Sequence, residues 1–266
     1  MKKLFIVSVC CFVSLMRFAC SYELPIIEES LTCQIEIQIQ KPVYETFQVM
    51  VFLHGAQDLG LRSIHPAVFE HWLEKGYAVA AISMPGYGNS TGERDFSGPN
   101  TLDALHISID RIKEELAVPK LGMIGFGQGG LAATLLSAQR GDIACVVSSN
   151  GGYDLLRHNA SDDILRSILE NKKYQLDLTS EEDLIVRSPL YHVSEMSAPL
   201  FLLHRKGNPI VSEQEAVDFH DAMLAAGKEC FLVIKDKTPT DDEQQLSFEE
   251  ILIEAESWID EQMGRG

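Results

Sequence analysis

Gly125-Phe126-Gly127-Gln128-Gly129-Gly130 is the stretch of sequence that decides the fold. It follows a short apolar run at residues 121–124, which predicts a buried strand, and it precedes residues 131–139, which have the composition of a helix. Glycine tolerates the positive φ angles and close backbone approaches of a sharp turn. The stretch therefore predicts a strand, a tight turn and a helix, with residue 127 at the turn and without a side chain.

The composition is that of a globular domain in a strongly acidic chain. The chain has 266 residues, which is long enough for one large domain with a sizeable core. It is 45% hydrophobic and 23% charged, as is usual for globular proteins. The formal net charge of −17 argues against nucleic acid and anionic membrane surfaces as partners. The sequence has no C-x-x-C pair and no H-E-x-x-H motif, so we predict no metal site and no cofactor.

The first residues have the pattern of a secretory signal peptide. Lys2 and Lys3 form a basic start, residues 4–16 form an apolar stretch, and Ala19-Cys20-Ser21 offers small residues for cleavage. We therefore predict a signal peptide at residues 1–21, a periplasmic or secreted protein, and a mature chain that does not span a membrane. The cysteines that remain after cleavage lie in strand-like apolar runs, where we expect burial: Cys33, Cys145 and Cys230.

Strand-like and helix-like segments alternate along most of the chain. Apolar runs and period-two alternation predict strands, whereas apolar residues three or four positions apart predict helices. Such alternation is typical of an α/β fold with a mostly parallel sheet and helices on both faces. The predicted strands are residues 33–40, 49–53, 77–82, 121–124, 143–148, 200–204 and 230–234, and the predicted helices are residues 67–75, 101–116, 131–139, 212–226 and 248–263.

A segment of about fifty residues between the strands near Ser149 and Leu200 interrupts this alternation. It carries short helical patterns at residues 164–169 and 181–186. We predict that residues 151–198 form a small helical cap insertion in a domain that covers residues 22–266. The cap would lie over the carboxyl edge of the sheet, where open α/β sheets bind their ligands. A surface excursion without a role is the alternative.

Several further motifs occur in the order and spacing of a known superfamily. His54-Gly55 ends one predicted strand, Pro85-Gly86-Tyr87-Gly88 follows the next, and Asn150-Gly151-Gly152-Tyr153 follows the strand after the glycine-rich turn. Residues 49–259 thus resemble the α/β-hydrolase superfamily, especially the catalytic domains of prolyl-oligopeptidase-type peptidases and the dienelactone-hydrolase-like esterases. The resemblance implies an α/β-hydrolase fold, in which residues 125–129 correspond to the nucleophile elbow G-x-S-x-G.

The residues that this family uses for catalysis are missing at the matching positions. Its enzymes need a serine nucleophile, a histidine base and an acid that orients the histidine. The serine position is Gly127, the acid position is Asn208, and the loop at residues 235–247, where the family has its histidine, contains none. Arg205 stands where the family usually has glycine, and it would crowd a working triad. The resemblance therefore implies an α/β-hydrolase with a degenerate triad.

The part of the family's site that binds rather than reacts is retained. The resemblance implies an oxyanion hole made by the backbone N–H of Gln128 and one near Gly55 or Ala56. The helix N-terminus after Gly127 also favours an anion. For the His54, Tyr87 and Tyr153 side chains, a structural role is the alternative to ligand binding. The candidate ligand-binding residues are His54, Gly55, Ala56, Tyr87, Gln128 and Tyr153.

Three functions remain open at the level of the sequence. We favour a catalytically degenerate protein that binds a small-molecule or peptide ligand, or a protein partner, through the former active-site cleft. The second hypothesis is an active serine-type esterase or peptidase with an unrecognised catalytic arrangement, for which Ser148, Ser149 and Asp154 are the nearest replacements. The third is a structural subunit without a ligand.

Overall fold

The computed structural model describes residues 20–27, 33–44, 47–159, 164–171, 174–236 and 248–264. Within these residues, eight strands form one sheet in the order β1-β2-β4-β3-β5-β6-β7-β8. β2 runs antiparallel to both of its neighbours, and all the other neighbouring strands are parallel. The strands are β1 (Cys20–Ile27), β2 (Gln34–Lys41), β3 (Gln48–Leu53), β4 (Tyr77–Ile82), β5 (Leu121–Phe126), β6 (Ile143–Ser149), β7 (Leu200–Arg205) and β8 (Cys230–Lys235).

Helices cover both faces of the sheet, and local chemistry sets several of their ends. Pro66 and Pro99 occupy first positions of helices, where the missing N–H of proline is not needed. The Ser212 hydroxyl accepts the N–H of Gln214 (3.2 Å) and so caps a third helix. The helices are α1 (Pro66–Glu74), α2 (Pro99–Leu116), α3 (Gln128–Gln139), α4 (Ile164–Asn171), α5 (Glu181–Val186), α6 (Glu213–Ala225) and α7 (Phe248–Gln262).

The predicted α/β fold is confirmed, and the apolar run of β3 shows why. Val49, Val51 and Leu53 join the core on one face of the sheet, whereas Met50 and Phe52 join the core on the other face. Because both faces of β3 are buried, every position from 49 to 53 has to be apolar. A continuous apolar run is therefore the expected sequence of this strand.

Strand β1 is absent from the predicted elements. It pairs antiparallel with β2, with Tyr22 opposite Ile39 and Pro25 opposite Glu36. Proline lacks the N–H of a ladder bond, and β1 tolerates it because this strand lies at the edge of the sheet. Its first two residues overlap the predicted signal peptide, which stays a prediction because residues 1–19 lie outside the described part.

The insertion between β6 and β7 is helical. It contains α4 and α5, together with two short 3-10 helices at Leu155–Asn159 and Pro189–Glu195. The described part of the chain has no helix that is long and apolar enough to cross a membrane. Cys145 and Cys230 are buried and Cys33 is partly buried, and all three are free thiols.

The chain reverses its direction across the sheet at β3. β4 lies on one side of β3, and β5 lies on the other. In open α/β sheets, the crevice outside the carboxyl ends of the strands at such a switch point is the usual ligand site. The segments that reach this crevice are His54-Gly55-Ala56, after β3, and Gly127-Gln128, after β5.

Candidate functional site

The turn between β5 and α3 has the strained geometry of a nucleophile elbow. Gly127 adopts φ 51° and ψ −113°, a conformation that residues with a side chain rarely adopt. Its N–H donates to the carbonyl of Ser149 at the end of β6 (2.8 Å), and its carbonyl accepts the N–H of Leu131 (3.0 Å). The elbow is therefore present as architecture although it has no nucleophile.

Two other glycines let the elbow approach its neighbours closely. A Cβ on Gly129 would lie 2.5 Å from the carbonyl oxygen of His54 and closer still to that of Leu53. A Cβ on Gly125 would lie 2.5 Å from the backbone nitrogen of Gly130. Helix α3 thus packs directly on the end of β3, which brings its first turn to the loop after β3.

The position of Gly127 is open by comparison. A Cβ there would meet only the Cα of Gly55, at 3.9 Å, and Gly127 is itself partly exposed. The two segments of the predicted oxyanion hole thus face each other across this opening. Apart from the two chain neighbours of Gly127, no other atom of the described residues lies within 4 Å of a Cβ at this position.

Gly127→Ser is expected to fold and to lose about 1–3 kcal/mol in the free energy of unfolding, because only the positive φ is unfavourable there. Gly141→Ser is the matched control, since a Cβ at Gly141 meets nothing within 4 Å and its φ is not positive. Urea unfolding of both variants measures the difference. A Gly127→Ser protein that does not fold would contradict the open geometry.

His54 is buried and holds the loop after β3. Its Nε2 accepts the N–H of Met84 (3.0 Å), so its Nδ1 carries the proton and donates to the carbonyl of Gly55 (2.5 Å). Burial lowers the pKa of His54 to about 4, which keeps the ring neutral at pH 7. The geometry favours the structural role, and the ligand-binding role of His54 stays a prediction.

Tyr87 joins the elbow to the insertion between β6 and β7. Its hydroxyl donates to Oε1 of Gln128 (2.8 Å) and therefore accepts from the hydroxyl of Tyr174 (2.7 Å). The guanidinium carbon of Arg94 lies 4.1 Å from the centre of the Tyr87 ring. Burial raises the pKa of Tyr87, so the phenol remains a donor at pH 7. This buried chain fixes the Gln128 side chain rather than lining an open pocket.

Tyr153 is fully buried, and the nearest replacement residues lie around it. Its hydroxyl donates to Oγ of Ser148 (2.9 Å), and its ring stacks on Phe219 at 4.7 Å between centroids. Asp154 accepts from the hydroxyl of Tyr191 (3.2 Å) within the cap insertion. Burial raises the pKa of Tyr153. These contacts are typical of packing, and a ligand-binding role for Tyr153 stays a prediction.

At Asn208, the predicted acid position after β7, the side chain bonds the backbone of the turn. Oδ1 of Asn208 accepts the N–H groups of Ile210 (2.9 Å) and Val211 (3.2 Å), as in an Asx turn. Arg205 is buried, and its backbone N–H donates to Oδ1 of Asn150 (2.8 Å). Of the predicted histidine loop at residues 235–247, residues 237–247 lie outside the described part, and the sequence of the loop contains no histidine.

A buried carboxylate anchors the start of the insertion between β6 and β7. Glu215 of α6 accepts the N–H groups of Tyr153 (3.0 Å) and Asp154 (3.1 Å), and its other oxygen contacts Nε2 of His158 (2.6 Å). The Glu215 side chain is fully buried. In the described part of the chain, no group of three or more His, Cys, Asp or Glu residues could hold a metal ion.

The structure brings Gly55, Ala56, Gly127 and Gln128 together, and it places His54, Tyr87 and Tyr153 behind them in the interior. Sequence reasoning missed the side chains of Asn150, Tyr174 and Glu215. Asn150 could have been found as a polar residue directly after a buried strand, since such residues collect at the carboxyl edge of the sheet. Tyr174 and Glu215 have no local signal, because their partners are distant in sequence.

Comparison with known proteins agrees with this geometry. A family model described as alpha/beta hydrolase fold matches residues 48–242. No curated protein matches the sequence significantly.

Several solved structures are similar in fold, all at low identity. The acylaminoacyl peptidase of Pyrococcus horikoshii has a TM-score of 0.69 at 20% identity and covers 84% of this chain, which spans only 38% of that protein. The esterase Pf2001 of Pyrococcus furiosus has a TM-score of 0.68 at 18% identity, over 93% of this chain and 91% of its own. A putative dipeptidyl aminopeptidase IV of Bacteroides ovatus has a TM-score of 0.74 at 13% identity. The match covers 94% of this chain and 36% of that protein.

Proposed function

This chain belongs to the alpha/beta hydrolase fold family, and on that premise we propose that it binds a small-molecule or peptide ligand in the cleft at Gly127 without hydrolysing it. The observation that carries the proposal is the elbow itself. Its strained backbone, close packing and open position at residue 127 are kept, while the nucleophile is missing. A binding cleft can use this architecture without a reactive group.

The residues around the elbow support a non-catalytic role. Both ring nitrogens of His54 bond backbone groups, so this histidine is not available as a base. Ser148 and Ser149 are buried, and the Ser148 hydroxyl accepts from Tyr153. Asn208 cannot act as the acid that orients a histidine, because a carboxamide carries no negative charge. These features support the loss of all three triad functions together.

A fluorophosphonate probe and a panel of p-nitrophenyl esters test this proposal. We expect no covalent labelling of the wild-type protein and no ester turnover above that of the Ser148→Ala and Ser149→Ala variants, because residue 127 carries no nucleophile and both ring nitrogens of His54 already bond backbone groups. Mass spectrometry of the labelled protein and absorbance assays give the readouts, with an active serine hydrolase as the positive control.

The rival function is a working esterase or peptidase. It is favoured by the similar structures, which include an esterase and an acylaminoacyl peptidase, although at 18–20% identity these show the fold alone. Labelling or turnover that disappears on replacement of one specific serine would support this rival and overturn the proposal. A protein partner in place of a small ligand is compatible with either result.

We also propose that the protein is exported from the cytoplasm. The basic start and apolar stretch within residues 1–21 support export to the periplasm or the medium. N-terminal sequencing of the mature protein from the extracellular or periplasmic fraction tests it, with a new N-terminus near Tyr22 as the expected result.

A further inference from the structure

Strand β8 lies at one end of the sheet, and within the described residues it has a strand neighbour on one side only. The N–H of Leu200 donates to the carbonyl of Glu229 (3.1 Å), and the N–H of Lys206 donates to that of Lys235 (2.9 Å). The pairing with β7 between these bonds has no register shift, so the odd-numbered residues of β8 bond β7. The N–H and C=O groups that point to the open edge therefore belong to residues 230, 232 and 234.

The two edges of the sheet differ in the residues that hinder pairing with another strand. β1, at the opposite edge, carries Glu23 and Pro25, a charge and a missing N–H. Residues 230–234 of β8 carry neither a charge nor a proline. Phe231 is 46% exposed and Ile234 is 36% exposed, so this edge leaves large apolar side chains in water. Such an edge is a template for pairing with another chain.

The charges beside this apolar run have an order that is complementary to itself. Lys228 and Glu229 precede the run, and Lys235 and Asp236 come at its end. Two copies of the segment that run antiparallel about Leu232 place Lys228 of one opposite Asp236 of the other. The same register places Glu229 opposite Lys235, so each charge meets an opposite one. The segment has no net charge, although the chain carries −17.

The flanking charges also have partners within the chain. Lys228 donates to the carbonyl of Met196 (2.8 Å), and Asp236 contacts Lys206 (3.1 Å). Both side chains are nevertheless at least partly exposed. A carboxylate accepts several hydrogen bonds and an ammonium group donates three, so these contacts are compatible with a further partner on a second copy.

The same register covers the exposed apolar side chains. Phe231 and Val233 lie on the face of the sheet that α7 covers, where the Phe231 ring contacts that of Trp258 (6.1 Å between centroids). A two-fold axis perpendicular to the sheet keeps like faces together, so Phe231 comes opposite Val233 of the second copy. Aromatic and β-branched side chains stabilise antiparallel strands when they pair in this way. On the other face, Ile234 comes opposite Cys230 of the second copy.

We infer that the open edge of β8 binds a second copy of this chain, with the two β8 strands antiparallel about a two-fold axis at Leu232. Such a contact uses the same surface on both copies and closes after two, so the product is a dimer with one continuous sheet. The edge N–H and C=O groups provide the pairing, and the flanking charges set the register. β6 and β7 separate β8 from the elbow, so this inference is independent of the proposed ligand binding.

Sedimentation velocity and amide hydrogen exchange of the mature protein test this inference. We expect a dimer that forms as the protein concentration rises. The outward N–H groups of Leu232 and Ile234 should exchange roughly tenfold more slowly, or slower still, once the dimer has formed. The inward N–H groups of Phe231 and Val233 should be protected at every concentration, because they bond β7.

Ile234→Lys should raise the Kd of the dimer roughly tenfold or more, because it places a charge in the apolar part of the edge. Val186→Lys is the matched control, since Val186 is 37% exposed at the end of α5, and it should leave the Kd unchanged. Ile234→Pro removes an outward N–H but no bond to β7, so it repeats the comparison if Ile234→Lys does not fold.

An exchange of charges tests the register. Lys228→Asp and Asp236→Lys should each weaken the dimer, because like charges then lie opposite each other across the two strands. The double variant restores opposite charges at both positions and should bring the Kd back to within roughly threefold of the wild-type value.

Three results would overturn the inference. The first is a protein that stays monomeric at about 100 μM, where even a weak specific dimer assembles. The second is a dimer that Ile234→Lys and Ile234→Pro leave unchanged, or in which the N–H groups of Leu232 and Ile234 exchange as fast as in the monomer. The third is a double variant at residues 228 and 236 that dimerises no better than its two single variants.

Discussion

Gly129→Ala is expected to destabilise the protein by on the order of 3 kcal/mol or more, although it adds a single methyl group. The added Cβ would lie 2.5 Å from the carbonyl oxygen of His54 and closer to that of Leu53. Both are backbone atoms, at the end of β3 and in the first residue after it, so they cannot turn aside as a flexible side chain could. Either α3 must move away from β3 or the strand end must distort. Urea unfolding followed by circular dichroism measures the loss.

Gly141→Ala is the control for this prediction. Gly141 is exposed between α3 and β6, and a Cβ there meets nothing within 4 Å. Its replacement by alanine should change stability by no more than about 0.5–1 kcal/mol, in the stabilising direction if the backbone permits it. Equal stabilities of the Gly129 and Gly141 variants would show that α3 does not pack as closely on β3 as the structure indicates.

Glu215→Ala is expected to cost about 3–5 kcal/mol, because it removes one partner of a buried group and leaves the others without acceptors. The backbone N–H groups of Tyr153 and Asp154 both donate to one oxygen of Glu215, and His158 contacts the other. These contacts hold the chain where it leaves the sheet and begins the insertion. We therefore expect protection from hydrogen exchange to fall most at residues 153–158.

Asp221→Ala separates the loss of this anchor from the loss of an acidic residue on α6. Asp221 is exposed on the same helix, and its contact with His220 lies at the surface. Its replacement should change stability by no more than about 0.5 kcal/mol. If hydrogen exchange at residues 153–158 were unchanged in Glu215→Ala, the carboxylate would not anchor the insertion.

The order of the elements could be predicted closely from the sequence, because each helix or strand has a local pattern. The predicted strand at residues 49–53 is the observed β3 without its first residue, and the predicted helix at residues 181–186 has the observed bounds of α5. β1 was not predicted, because its sequence has no hydrophobic period that indicates a strand. It is a strand because it pairs with β2. Its proline also argues against a strand unless the edge position is known.

The candidate site was predictable in part. A glycine-rich turn between strand and helix is a local signal that points to Gly127 and Gln128, whereas Gly55 follows only from the family resemblance of the His54-Gly55 motif. The burial of His54, Tyr87 and Tyr153 was not predictable. The same sequence pattern is compatible with a side chain that faces a cleft and with a side chain that faces the core. Within the described residues, Nε2 of Gln128 and Nδ2 of Asn150 have no hydrogen-bond partner, and this becomes visible only when the hydrogen bonds of the whole edge are known.

The sequence by itself determined the alternating α/β elements, the elbow turn and the glycine at residue 127. These are properties of residue type and of local spacing. The tertiary structure decided that β3 lies between β4 and β5, which brings Gly55 to within 3.9 Å of a Cβ at residue 127. It also decided that Asn150 stands beside the elbow and that Glu215 meets His158, because such contacts join strands and helices whose pairing depends on the packing of the whole core.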